Sequence, residues 1–239
     1  MITSEFINEF DLLYDAGSKG APSIDNYEKS VYLTTAQEEL VKAYYSGKNQ
    51  KGSFENTEKN RRVLNELTKT YVQSTQTISG NGISPLSVFY AIPEVFYIIL
   101  EQVKFNDNGV AKTVTVKPTT HDEYLNNVKN PFRQPNKRKV LRLDISKEGA
   151  NNLVEIITDQ TLTEYFMRYV DKPKPIIVTN IATGDFDGLG LTIDGVTAVT
   201  ECKLNRELHR EILNRAVELA IRDFRESSLQ SKLATNQRI

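Results

Sequence analysis

The 239-residue sequence predicts an α+β fold with N-terminal helices, a central antiparallel β domain, and a long C-terminal helix followed by an extended tail. Three observations carry that expectation. Apolar residues recur at three- and four-residue spacing through the first third of the chain and again after Asn205. Between those stretches the pattern changes to runs of β-branched and aromatic residues, which suit a pleated surface. Asn106-Asp107-Asn108-Gly109 and Asp194-Gly195 punctuate the runs with turn residues that suit hairpins.

The helices come first. Thr3 or Ser4 can cap a helix whose stripe is Phe6, Ile7, Phe10, Leu13 and Tyr14, and Gly17 is a natural stop. A loop over Ser18–Ser30 contains Gly20, Pro22 and Asp25. Thr35 and Glu38 have the spacing of a capping box, so a second helix is expected there, with Leu33, Leu40, Val41 and Tyr44 inward and Gly47 at its end. Val63, Leu64, Leu67 and Tyr71 mark a third helix over Thr57–Gln73.

The strands follow a Ser/Thr/Gly/Asn-rich stretch, Gln73–Ser84. Ile83–Ile92 reads as a strand ended by Pro93, and Val95–Phe105 with Val110–Val116 as the clearest hairpin. Thr120 and Glu123 form a second capping box, opening a short helix to Val128. Three further strands are expected over Lys139–Ile145, Leu153–Thr158 and Leu162–Val170. Pro173 and Pro175 cannot donate to a ladder, so their segment is an edge or a linker. Finally, Asn205 can cap a helix whose apolar face runs from Leu208 to Phe224; Glu226–Ile239 lacks periodicity and reads as a tail ordered only by partners. The expected division is therefore 1–75 helical, 76–203 β-rich, and 204–239 as a helix and tail packing on the helical part or on a neighbour.

Composition narrows the function classes. Thirty basic residues stand against 31 acidic ones, a balance unlike that of a dedicated nucleic-acid binder, although a local basic lining stays open. Cys202 is the single cysteine, so neither a disulfide framework nor a multi-cysteine zinc site can form within one chain. The acids Glu5, Glu9 and Asp11 are unlike a signal peptide, and no apolar run reaches the ~20 residues of a membrane helix. A soluble, unexported protein assembled in a reducing cytoplasm is expected, with no membrane partner.

The sequence holds few groups that could carry chemistry. His121-Asp122-Glu123 invites an acid–base or metal reading, but successive helical side chains diverge, and the capping box accounts for Glu123. Asp185-Phe186-Asp187-Gly188 resembles part of a calcium loop, yet Leu189 and Leu191 occupy positions where further oxygen ligands would be needed. His209 has no second histidine at metal spacing and reads as a surface or interface residue, and Cys202 as a small buried apolar group. No phosphate-cradling Gly-rich motif with its Lys is present. Catalytic, cofactor-binding and metal-ligating residues are accordingly expected to be none, and no cofactor is implied. A hydrolase built on His121 with Asp122 or Glu123 is the weakest of the readings.

Two groups suit contacts with other molecules. Arg133, Lys137, Arg138 and Lys139 form a basic run that is either a solvated loop or a contact for DNA phosphates or an acidic protein surface. Tyr27, Tyr32, Tyr44 and Tyr45 are either subunit-interface anchors or packing residues of the helical layer.

Several stretches resemble one family. Glu5–Tyr14, Ala21-Pro22, Asp25–Thr34 and Ala36–Val41 are similar to the start of ring proteins from crAss-like phages of gut Bacteroides. Pro118–Tyr124, Asn130-Pro131-Phe132, Lys172–Val178, Glu201–Leu204, Leu208–Leu213 and Ala216–Ala220 continue the resemblance over nearly the whole chain. It implies a structural virion protein, not an enzyme: a ring subunit of the portal–tail connector, or head-to-tail adaptor. Such a subunit forms a homo-oligomeric, twelve-fold ring between the portal protein and adjacent tail ring proteins, with a channel for DNA passage and non-specific contact with genomic DNA. The family supplies no catalytic residues to carry over. A tail-tube or second ring protein, and a phage binding protein outside the virion, remain the alternatives.

Overall fold

The computed structural model describes residues 1–17, 22–46, 58–74, 82–148, 151–183 and 189–236. In chain order the elements are α1 (Thr3–Gly17), α2 (Asn26–Ser46), α3 (Glu58–Val63), β1 (Thr68–Gln73), β2 (Ser87–Ile92), β3 (Val95–Asp107), β4 (Val110–Pro118), α4 (His121–Val128), β5 (Val140–Glu148), β6 (Asn151–Ile157), β7 (Leu162–Asp171) and α5 (Arg206–Asn236). The fold is α+β, as the residue patterns predict. It divides into a helical unit, Met1–Glu66 with Pro173–Ile239, and a β unit, Leu67–Lys172. The β unit is thus one continuous insertion. The described residues between Pro173 and Lys203 belong with the helices rather than with the strands, and Leu67–Gln73 open the β unit.

Four local expectations need correction in the helical unit and at its edge. The second helix begins at Asn26, nine residues before Thr35. Its capping box is Asp25 with Glu28: the Glu28 N–H donates to Asp25 Oδ1 at 2.7 Å and the Asp25 N–H to Glu28 Oε2 at 3.2 Å. Thr35 lies inside the helix and its hydroxyl donates to the Val31 carbonyl. The expected third helix stops at Val63, because Thr68–Gln73 pairs antiparallel with β7 from Thr68↔Val170 to Gln73↔Tyr165. Thr68, Thr70, Tyr71 and Val72 have the β-branched and aromatic character that such a ladder favours. Finally, Glu226–Asn236 is helical and continues α5; it does not form an extended tail. Its Leu, Gln, Lys and Ala residues are good helix formers even without an apolar stripe.

The helical unit contains a feature that hydrophobic periodicity conceals. Ser30, Thr34 and Gln37 lie on one stripe of α2 and are buried although polar. They hydrogen-bond an extended strip of backbone. The Val178 N–H donates to Ser30 Oγ at 3.1 Å, the Ile176 N–H to Thr34 Oγ1 at 3.1 Å, and Gln37 Nε2 to the Lys174 carbonyl at 2.8 Å. Pro173 and Pro175 cannot donate to a ladder; Ile177 exchanges a pair of backbone hydrogen bonds with Thr200, and the helix side chains satisfy groups of Lys174, Ile176 and Val178 on either side of it. That leaves Ile176, Ile177 and Val178 fully in the core. Phe6, Phe10 and Tyr14 of α1, Leu33, Val41 and Tyr44 of α2, and Leu208, Ile212, Leu213 and Ala216 of α5 complete it.

In the β unit, seven strands run in the order β1-β7-β3-β4-β5-β6-β2. The sheet is mixed and not antiparallel throughout: β4 and β5 pair parallel over Val116↔Val140 to Pro118↔Arg142. The cause is the connection, since α4 and its following loop carry the chain back to the start of its neighbour. The sheet curls until its end strands meet, and the Tyr71 hydroxyl of β1 donates to the Ala91 carbonyl of β2 at 2.7 Å. Irregularities in the β3–β7 register, at 95/97, 98/100 and 104/105, supply bends of the kind that curvature needs. Tyr90, Val103, Phe105, Val116, Ile156 and Tyr165 fill the interior. The Asn108-Gly109 turn joins β3 and β4 with φ of 54° and 85°, the left-handed region that Gly and Asn adopt most readily. On the outer face, Tyr124 of α4 covers Leu141, Leu143 and Ile157. The first four residues of β5 are therefore buried on both sides, with Val140 and Arg142 inward and Leu141 and Leu143 under α4.

Candidate functional site

The loop between α4 and β5 is built by asparagines. Thr120 caps α4, its Oγ1 accepting from the Glu123 N–H at 3.2 Å. After Val128 the chain turns on Asn130, whose carbonyl accepts from the Arg133 and Gln134 N–H groups and whose side chain accepts from the Phe132 N–H at 3.0 Å. Asn136 and Lys139 exchange a pair of backbone hydrogen bonds, and Asn136 Oδ1 accepts from the Arg138 N–H at 2.9 Å. The four basic residues therefore have different environments. Lys139 Nζ donates to the Arg133 carbonyl at 2.5 Å, closing the loop. Lys137 lies 3.6 Å from Asp107, which Lys112 also engages; these cations, chiefly Lys112, hold the Asp107 carboxyl below its ordinary range. Arg133 and Arg138 are exposed and have no side-chain partner among the described residues.

The four tyrosines separate as well. The Tyr44 ring is buried in the helical unit and its hydroxyl donates to Glu211 Oε2 at 2.8 Å. Tyr27 is half-buried against Ile177, Ile181 and Ile193. Tyr32 is half-buried; burial, then the Asp223 and Glu28 carboxylates, raise its phenol above the ordinary value. Tyr45 is half-buried near the end of α2. Among the four, Tyr44 is the one placed as a core residue.

The remaining chemical candidates are accounted for structurally. His121, Asp122 and Glu123 are all exposed on the first turn of α4, where Glu123 Oε2 accepts from the Thr119 hydroxyl. Asp185, Phe186, Asp187 and Gly188 lie outside the described residues. His209 is not a surface residue: it is 4% exposed, with Nε2 at 2.8 Å from the Leu204 carbonyl and Nδ1 at 2.7 Å from the Met1 amine. Those two partners fix Nε2 as the donor and Nδ1 as the acceptor, and burial lowers its pKa. The reason sequence reading misplaces it is helical phase, because Leu208 and His209 both face the core at the start of α5. Cys202 is buried, its Sγ donating to Gln37 Oε1, and burial pushes its thiol up to about 11. An open cleft of about 500 Å³ is lined by Glu58, Arg62, Val63, Asn205 and Glu207, with no His or Cys. Among the described residues, no group of three or more His, Cys, Asp or Glu is gathered as a metal would require.

Inside the β unit lies a buried ionic network that pattern reading misses. Glu101 of β3 takes a hydrogen bond from Arg142 Nη1 at 2.6 Å and another from the Tyr165 hydroxyl. Arg142 Nη2 reaches the exposed Asp144 at 3.3 Å. Burial, then the Glu101 carboxylate, raises the Tyr165 phenol far above its usual value. Glu101, Arg142 and Tyr165 are each held by at least one partner, while Arg142 Nε is buried without one among the described residues.

Exposed apolar side chains beside cationic ones suit contacts between proteins. The chain belongs to the family of phage tail ring proteins 3/4, whose pattern matches residues 1–232. It is thus a structural virion protein of the ring type. It is similar to ring protein 3 of Bacteroides phage crAss001, with 39% identity over 231 residues, covering 92% of this chain and 95% of that protein. It is similar also to ring protein 4/5 of the same phage, with 35% identity over 254 residues, covering 100% and 99% of the two chains. The resemblance read from Glu5–Tyr14 and the later stretches is therefore correct at the family level. No described helix is long and apolar enough to cross a membrane.

Proposed function

We propose that this chain is one subunit of a homo-oligomeric ring in the stack that joins the portal to the distal tail, with a lumen through which DNA passes. The single observation that carries the reading is the family match over residues 1–232. That the family is one of tail rings favours a ring of the tail over the portal-adjacent adaptor. The ring follows the portal's twelve-fold symmetry, its neighbours are the portal or other tail ring proteins, and assembly takes place in the host cytoplasm. Its role is mechanical, without catalysis or cofactor. Closed rings require two different patches on each subunit, one matching the other. This reading assigns the basic loop and the half-buried Tyr27, Tyr32 and Tyr45 to contacts with neighbouring subunits or, for the basic loop, with the nucleic acid in the lumen.

Quantitative mass spectrometry of purified virions tests the reading. One chain per portal subunit is the expected ratio. Absence of the chain from virions would overturn the ring assignment and favour a binding protein that acts outside the particle.

A further inference from the structure

The β unit carries one aromatic side chain that its own packing does not use. Phe132 is 93% exposed. Its loop is tied by Asn130, by the Asn136–Lys139 backbone pair and by the Lys139 side chain, so the ring is presented on a preformed support. Little ordering cost then opposes binding through it. Leu125 and Val128, three residues apart on α4, are exposed too. Large apolar side chains presented in this way suit contact with another protein.

Charge narrows the choice of partner. From 129 to 139 the chain holds Lys129, Arg133, Lys137, Arg138 and Lys139 and no acid. Lys137 is engaged by Asp107 and Lys139 by the Arg133 carbonyl, whereas the Arg133 and Arg138 guanidinium groups are uncommitted among the described residues. Phe132 is an apolar knob whose loop carries two available arginines.

Helix α1 of the helical unit has the opposite character. It contains Glu5, Glu9, Asp11 and Asp15 and no base. Asp11 is engaged by Lys29 at 2.8 Å, and Glu5 accepts from the Ile2 N–H at 2.9 Å. Leu12 is 70% exposed. Glu9 and Asp15 stand three residues to either side of it, which on a helix makes them its neighbours on the surface. Neither has a partner among the described residues. Leu12 is therefore an exposed apolar residue bracketed by two carboxylates, Asp15 exposed and Glu9 half-buried. Duplex DNA could meet the arginines through its phosphates, but its backbone would leave Phe132 in water.

We propose that the Phe132 loop of one copy docks on the Leu12 face of α1 in a second copy of this chain, with Arg133 and Arg138 meeting Glu9 and Asp15. The two patches differ, so the contact is heterologous. Every copy retains one knob and one acidic face, and repetition closes into a ring when the rotation allows. The inference rests on the ring-subunit reading and assigns to it the surfaces that join neighbours.

Sedimentation velocity of the full chain over a broad concentration range tests it. The wild-type chain is expected to self-associate, and Phe132→Ser to weaken association by about thirty-fold or more, as loss of an interface hot spot does. Phe132 is so exposed that this variant should keep the wild-type circular dichroism and melting curve. Arg133→Glu with Arg138→Glu should abolish assembly, and adding Glu9→Lys with Asp15→Lys to the same chain should restore it. A wild-type chain that stays monomeric overturns the proposal, as do loop variants that assemble normally or a charge swap that fails to rescue. Loop variants that assemble normally but lose retention of duplex DNA in a gel shift would place DNA on the loop, and so would also overturn it. The ring reading is scored separately by the presence and copy number of the chain in virions.

Discussion

The buried Glu101–Arg142 pair allows one prediction to be worked through in detail. Their side chains are 4% and 10% exposed, so neither charge is well hydrated. Replacing Glu101 by Gln keeps the shape and leaves an acceptor for the Tyr165 hydroxyl, but removes the charge facing Arg142. The guanidinium would then retain Asp144, which is 70% exposed and 3.3 Å away. Breaking a buried pair in this way costs about 3–5 kcal/mol. With a urea dependence of about 2 kcal/mol per molar, the unfolding midpoint should fall by about 2 M. The chain has no Trp, so circular dichroism or tyrosine fluorescence is the suitable probe. A variant that replaces the whole network by apolar groups, Glu101→Leu with Arg142→Met and Tyr165→Phe, should recover most of the loss, since no buried charge is left alone. A midpoint shift below about 0.5 M for Glu101→Gln would put the pair among ordinary surface ion pairs and refute the reasoning.

Three further outcomes follow from the structure. Asp25→Ala should destabilise the chain by about 1 kcal/mol through loss of the α2 cap, whereas Thr35→Ala, an exposed mid-helix site, should be near neutral or slightly stabilising in a thermal melt. His209 has a lowered pKa in the folded chain, so the unfolded chain binds the extra proton first as pH falls. Stability should therefore decline as pH drops below about 6.5 toward the lower folded value, and in His209→Gln that component of the pH dependence should vanish from urea midpoints. Cys202, with its thiol raised to about 11, should resist a disulfide-exchange reagent at pH 8 in the folded chain and react once urea unfolds it. Rapid native-state labelling would show that Cys202 is accessible and refute its placement against Gln37.

Residues close together in the chain and residues far apart carry different information about this fold. The Asn108-Gly109 hairpin, the Thr120 cap and the Asn205 start of α5 are legible because each rests on residues within a few positions of one another. The Glu207 N–H donates to Asn205 Oδ1 at 3.1 Å, a purely local bond. The capping box of α2 was legible in principle too, but Thr35–Glu38 has the same spacing as Asp25–Glu28 and competes with it. The basic run was visible as composition. Which of its cations are already engaged depends on Asp107, some thirty residues away on the β3–β4 turn.

The residue patterns specify the α+β class, the main hairpin, the starts of α4 and α5 and, through stretches such as Glu5–Tyr14, the ring-protein family. Short-range capping, turn chemistry and periodicity act within a few residues, and they leave a mark in one segment at a time. Tertiary structure alone decided that Thr68–Gln73 is a strand, because β7 provides its partner about a hundred positions later. It also decided that β4 and β5 run parallel, and that Ser30, Thr34 and Gln37 turn a polar helix stripe inward to hold Lys174–Val178. Burial of a polar group depends on a distant segment arriving with the matching donor or acceptor, and the exposure of Phe132 depends on none arriving; neither condition is written in the residues nearby.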